Sequence, residues 1–133
     1  MISLKFLFSV IATCIQASQP NDLLFEVENM TDKDFYAEKS SFLYYLFLLD
    51  SNGNNIPPAR RINEEGDSSM ILLKKQQKTR FTISFNFFDR FSLNTAAKYT
   101  LLLTYYNPQK RLKGKNLLTG KYEISPLDLI VCN

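Results

Sequence analysis

The chain has no histidine and no tryptophan, and only two cysteines and four glycines among its 133 residues. The missing histidine removes the commonest general acid–base group, every Ser-His or Cys-His nucleophile pair and all imidazole metal ligands. Carboxylate-only or Ser-Lys chemistry would need those groups to converge in space, and no motif announces it. No cofactor motif is present either, and the chain reads as a non-enzyme. Two cysteines are too few for a disulfide framework, so a packed core has to hold the fold. The net charge of +3 is too mild to argue for nucleic acid.

What is present is apolar and aromatic. Hydrophobic residues make up 45% of the chain, with 11 Phe and 7 Tyr, enough for the core of one domain. Phe, Tyr, Thr and Ile favour strands.

Residues 1–17 match a secretory leader: Lys5 supplies an early cation, an apolar run extends from Phe6 to about Ala12, and small or polar residues follow to Ala17. The run is shorter than the roughly 20 residues a membrane span needs. Ile11-Ala12-Thr13-Cys14 resembles the lipobox of bacterial lipoproteins, which makes Cys14 a candidate lipid anchor. Removal or lipidation of Cys14 leaves Cys132 unpaired, a small hydrophobe ending a strand. The expected location is therefore exported, in the periplasm or cell envelope. The mature domain is expected over residues 21–133.

Within it, Arg80–Phe87 alternates cleanly, with Phe81, Ile83, Phe85 and Phe87 on one face and Thr82, Ser84 and Asn86 on the other. Tyr99–Tyr106 alternates likewise, and the two predict half-buried strands paired at the centre of the core. Further strands are expected at Leu23–Glu28, Asp34–Ala37, Met70–Leu73, Leu117–Ile124 and Leu127–Val131. The apolar run Ser41–Leu49 reads as a strand buried on both faces, with a short buried helix as the alternative. Asp50-Ser-Asn-Gly-Asn-Asn turns the chain; its alternating oxygens suggest a calcium loop, but Gly53 comes too early and Arg61 stands where a bidentate Glu is needed. Asn29-Met30-Thr31 fits the N-glycosylation pattern.

About seven short strands without an amphipathic helix predict a single antiparallel β-sandwich, with a small β-barrel as the alternative. The succession of Asn29-Met-Thr-Asp, Asp50-Ser-Asn-Gly, Phe81–Phe87, Phe91-Ser-Leu and Lys98-Tyr-Thr-Leu resembles the immunoglobulin-like sandwiches of bacterial exported proteins. The resemblance is one of architecture; it implies an exported sandwich domain and carries no site residues.

Candidate contact residues lie in two charged loops. Pro57–Asp67 contains Arg60 and Arg61, and Gln109–Asn116 reads as a flexible cationic loop with Lys110, Arg111, Lys113 and Lys115. Together with Lys74, Lys75, Lys78 and Arg80 these predict a basic patch, if both basic turns share one end of the sandwich. Tyr106, at a strand end before Asn107-Pro108, is the first tyrosine to test for partner contact. The expectation is a binding protein for a macromolecule of the envelope, most simply a protein, with polysaccharide or an anionic membrane surface behind it. An inhibitor or immunity protein is a sharper variant. A carbohydrate-binding module is the competing class and requires an exposed row of tyrosines.

Overall fold

The computed structural model describes residues 4–10, 14–16, 21–58, 69–94 and 97–132. In chain order its strands are β1 (Leu4–Val10), β2 (Asn21–Asn29), β3 (Phe35–Glu38), β4 (Tyr45–Leu49), β5 (Met70–Leu73), β6 (Gln77–Phe85), β7 (Lys98–Asn107), β8 (Arg111–Leu112), β9 (Lys115–Asn116) and β10 (Gly120–Ile130). The only helical turns among the described residues are a 3-10 turn at Lys39–Leu43 and α1 at Phe87–Arg90.

Two three-stranded sheets form the layers, one ordered β1-β2-β6 and the other β10-β7-β4. All their pairings are antiparallel. The sheets do not close into a barrel, and the fold is an all-β sandwich. The short pair β3–β5 and the hairpin β8–β9 stand beside these layers.

The core follows from the alternation. Leu23, Phe25 and Val27 on β2, with Ile83 and Phe85 on β6, meet Leu46 and Leu48 on β4, Tyr99, Leu101, Leu103 and Tyr105 on β7, and Ile124 and Leu129 on β10. Rings link one sheet to the other. Phe25 stacks on Phe81 at 5.4 Å and meets Phe42 at 5.6 Å, and Phe42 reaches Tyr105 at 4.8 Å, edge on. Phe42 comes from the 3-10 turn and is fully buried. It packs between the layers, against Phe25 and Phe81 of one sheet and Tyr105 of the other.

The two alternating stretches are not partners, contrary to expectation. β6 pairs with β2, with Phe81 opposite Phe25, whereas β7 lies between β10 and β4. The strand stops at Phe85 because Asn86 caps α1, its side chain accepting from the Phe88 amide at 3.1 Å. Phe87 keeps its inward position from the helix, and Phe91 is buried behind it. A connection of this length cannot make a tight hairpin; it carries the chain from one layer to the other.

Two other expectations are corrected. Ser41–Leu49 is not one strand buried on both faces: its first part is the 3-10 turn, and in β4 only Leu46 and Leu48 point inward. The last two expected strands are a single strand, β10, whose register shifts between Ile124 and Leu127. Pro126, which has no amide hydrogen to give a ladder, sits at that bulge on an edge strand. In the full-length chain, Leu4–Val10 of the expected leader pairs with β2 along its length, from Leu4 opposite Asn29 to Val10 opposite Leu23. Ile15 then runs parallel to Val131, its amide donating to the Ile130 carbonyl at 2.8 Å and its carbonyl accepting from Cys132 at 2.9 Å. This docking brings Cys14 and Cys132 to a Cα–Cα distance of 5.2 Å in a disulfide, so Cys132 is paired as long as the N-terminal segment is retained.

Asn29 shows how tightly the end of β2 is bound. It is fully buried, and its amide nitrogen donates to the carbonyls of Lys33 at 2.9 Å and Leu73 at 2.8 Å. Its carbonyl oxygen accepts from the Thr31 amide and hydroxyl. Every bonding position of that amide is in use, so the glycosylation pattern here marks a structural asparagine in the folded chain.

Candidate interaction surface

Alternation in β4 places two aliphatic residues inward and two aromatic residues outward. Tyr45 and Phe47 are exposed, Phe47 by 50%, and Tyr44, just before the strand, by 56%. Residue Tyr106 of β7 joins them. The rings of Tyr44 and Tyr45 lie 4.9 Å apart at 77°, those of Tyr44 and Tyr106 4.8 Å apart at 62°, and those of Tyr45 and Tyr106 5.9 Å apart at 43°. Lys121 on β10 places its ammonium 5.3 Å from the Tyr45 ring centre, a cation–π contact. Beside the cluster, Tyr45, Phe47, Leu102, Pro126, Lys121 and Glu123 line a depression of about 520 Å³ on the outer face of the β10-β7-β4 sheet. A sandwich normally turns polar residues outward; this face carries an aromatic cluster at one end, with Leu102 and Pro126 among polar residues beyond it.

Of the expected contact residues, Tyr106 belongs to this cluster. Tyr44, Tyr45 and Phe47 lie in the run expected to be buried on both faces, although Tyr44 and Tyr45 are also among the tyrosines an exposed aromatic platform would use. The signal that separates them from Leu46 and Leu48 is aliphatic–aromatic alternation, invisible to any pattern that counts both as apolar. Tyr99 and Tyr105 are buried, and Tyr122 is half-buried against Tyr105 at 5.9 Å. The tyrosines therefore divide between core and surface, and no single row contains them all.

The basic residues also divide. Arg80 and Lys78 lie on the outer face of β6 against Glu26 of β2, at 2.8 Å and 3.9 Å. Lys74 and Lys75 are exposed at the β5–β6 turn, where Asp34 accepts from the Lys75 amide at 2.8 Å. Lys110, Arg111, Lys113 and Lys115 are all exposed on the β8–β9 hairpin, and none is ion-paired among the described residues. Lys115 sits 4.7 Å over the Tyr36 ring. Arg60 and Arg61, with most of the Pro57–Asp67 loop, lie outside the described residues. Cys14, the candidate lipid anchor, is the disulfide partner of Cys132 in the full-length chain.

The hairpin is held firmly, unlike the flexible loop expected. Lys113 and Gly114, with φ of 50° and 79°, form its two-residue turn, the left-handed pair such hairpins need and the position where glycine has no steric cost. Asn107 donates to the carbonyls of Gln109 at 2.8 Å and Leu118 at 2.9 Å, and Gln109 donates to that of Arg111 at 2.9 Å. Thr119 donates to the Gln109 carbonyl at 2.9 Å, and the Leu118 amide to the carbonyl of Tyr36 at 2.8 Å.

The Asp50 carboxylate is spent on its own turn, accepting from the amides of Asn52 and Asn54 at 2.9 Å each. Among the described residues, no three of Cys, Asp and Glu stand together as metal ligands. In comparison with known proteins, the chain matches no family model, and no curated protein is significantly similar to it in sequence.

Proposed function

We propose that the chain is a non-catalytic, exported binding protein that engages a protein partner through the outer face of the β10-β7-β4 sheet. One observation carries this reading: the exposed cluster of Tyr44, Tyr45, Phe47 and Tyr106. Exposed apolar patches rimmed by polar groups mark interaction sites, and tyrosine is enriched where binding energy concentrates.

Ring geometry favours protein over sugar. A sugar needs a flat ring face, whereas these tyrosines meet edge to face and occupy one another's faces. Such a notched aromatic surface suits side chains inserting between rings. The non-catalytic reading rests on the absence of histidine and on the lack of any catalytic motif.

Export rests on the leader-like residues 1–17. The Cys14–Cys132 bond suits an oxidising compartment, but only if that segment is retained. The mass of the native N-terminus separates three forms: an intact disulfide-bonded chain, a chain cut after Ala17, and one lipidated at Cys14.

For binding, the full-length chain is used in a pull-down from envelope extract beside the double variant Tyr45→Ser, Phe47→Ser. The expected result is a partner held by the parent and lost by the variant. An identical captured set from both, with both folded, would falsify the aromatic face as the contact surface.

A further inference from the structure

We infer that the β8–β9 hairpin, with the groove beneath it, binds an acidic segment of a partner protein. This rests on the binding-protein reading above and names the chemistry of the partner.

Charge is the first argument. Arg80 and Lys78 share the Glu26 carboxylate at 2.8 Å and 3.9 Å, while Lys110, Arg111, Lys113 and Lys115 have no ion pair among the described residues. Four like charges within six positions repel one another. A counter-charge arriving from outside relieves that repulsion, and fields of this kind also steer association.

Rigidity is the second. The clamps from Asn107, Gln109 and Thr119 fix the backbone that carries the cations. The core does not need them, since Tyr105 and Leu118 already anchor the base of the hairpin through a 2.6 Å hydrogen bond from the Tyr105 hydroxyl. A loop ordered before binding loses little freedom on binding.

Shape is the third, and it selects protein. Between the hairpin and the β3–β5 pair lies a groove of about 240 Å³, lined by Met70, Leu112, Glu38, Lys113 and Lys115. Its apolar groups are Met70 and Leu112, and its cations Lys113 and Lys115. Glu38 is the one carboxylate lining it, accepting from the Ser40 hydroxyl at 3.5 Å. An acidic peptide with an interspersed apolar side chain satisfies both features. A sulfated glycan has no apolar group for Met70 and Leu112, and a bilayer surface is too flat to enter. Tyr106 is the next-to-last residue of β7, beside Asn107, so the aromatic cluster and the hairpin share one end of the sheet.

The test is fluorescence anisotropy on the full-length, disulfide-intact chain with a short labelled peptide alternating Glu and Leu, and with its Lys-for-Glu counterpart. The acidic peptide is expected to bind at low salt and weaken as salt screens the charges, while the basic peptide does not bind. Changing Lys110, Arg111, Lys113 and Lys115 together to Glu is expected to weaken binding about tenfold or more. Asn107→Ala keeps every charge but loosens the loop, and is expected to weaken binding about threefold while the chain remains folded. No binding at low salt, equal binding by the charge-reversed variant, or capture of anionic vesicles or heparin with no binding of the acidic peptide would each overturn the proposal. The Tyr45→Ser, Phe47→Ser chain separates the two ideas. If its partner binding is lost while the charge-reversed chain retains the partner, the aromatic face stands and the acidic-segment assignment falls.

Discussion

Tyr105 places a phenol inside the sandwich, where its hydroxyl donates to the Leu118 carbonyl at 2.6 Å. Burial disfavours the phenolate and pushes its pKa well above the usual tyrosine value. The folded value thus exceeds the unfolded one of about 10, so the native state holds the proton more tightly. Its contribution to stability is complete below about pH 10 and is lost as pH rises from there through the folded value. Urea midpoints measured across alkaline pH are expected to fall above about pH 10. In Tyr105→Phe, which has no proton to lose, that fall is expected to be shallower. Near neutrality the same variant costs about 1 kcal/mol, because Asn107 still donates to Leu118. An unchanged alkaline slope in the variant would remove Tyr105 as its source. At this scale inward positions were legible: Leu23, Phe25, Val27, Ile83, Phe85, Tyr99, Leu101 and Leu103 all point inward as alternation requires. The outward Tyr45 and Phe47 were not, because hydrophobicity alone does not distinguish a ring that seeks the core from one that seeks a partner.

Among elements, the 3-10 turn contributes more to the layers than its length suggests. Its Phe42 touches rings of both sheets, Phe25 and Phe81 on one side and Tyr105 on the other. Phe42→Ala is expected to destabilise the fold by about 3–5 kcal/mol, since a void between two rigid sheets has little room to collapse. The urea midpoint checks this; a loss below about 1 kcal/mol would mean the sheets repack without it. Strand existence was readable from the sequence at seven places, but pairing was not. Alternation specifies which face a strand buries, and says nothing about which sheet it joins. The crossing between β6 and β7 was set instead by Asn86, whose side chain caps a single helical turn. The β8–β9 hairpin escaped for a different reason: its stability lies in side chain–backbone bonds from Asn107, Gln109 and Thr119, and these depend on three-dimensional placement rather than on any apolar pattern.

For the whole molecule, the disulfide joins the two ends of the chain across 118 positions. Closing so long a loop restricts the unfolded chain, and reduction or Cys14→Ser, Cys132→Ser is expected to cost about 2–4 kcal/mol. Urea melts with and without reductant test it, with the double variant as the reductant-insensitive reference; identical midpoints would show that hydrogen bonds from Ile15 and Cys132 suffice to dock the N-terminal segment.

The placement of β1 has a further consequence. It is the outermost strand of its sheet, and β2, nine residues long, lies directly inside it. Cleavage after Ala17 would take away β1 and the disulfide together and turn β2 into a bare sticky edge, with its backbone groups offered to any strand that comes alongside. The precursor would carry its own blocking strand, and the mature chain would have to find a replacement, from another subunit or from its target.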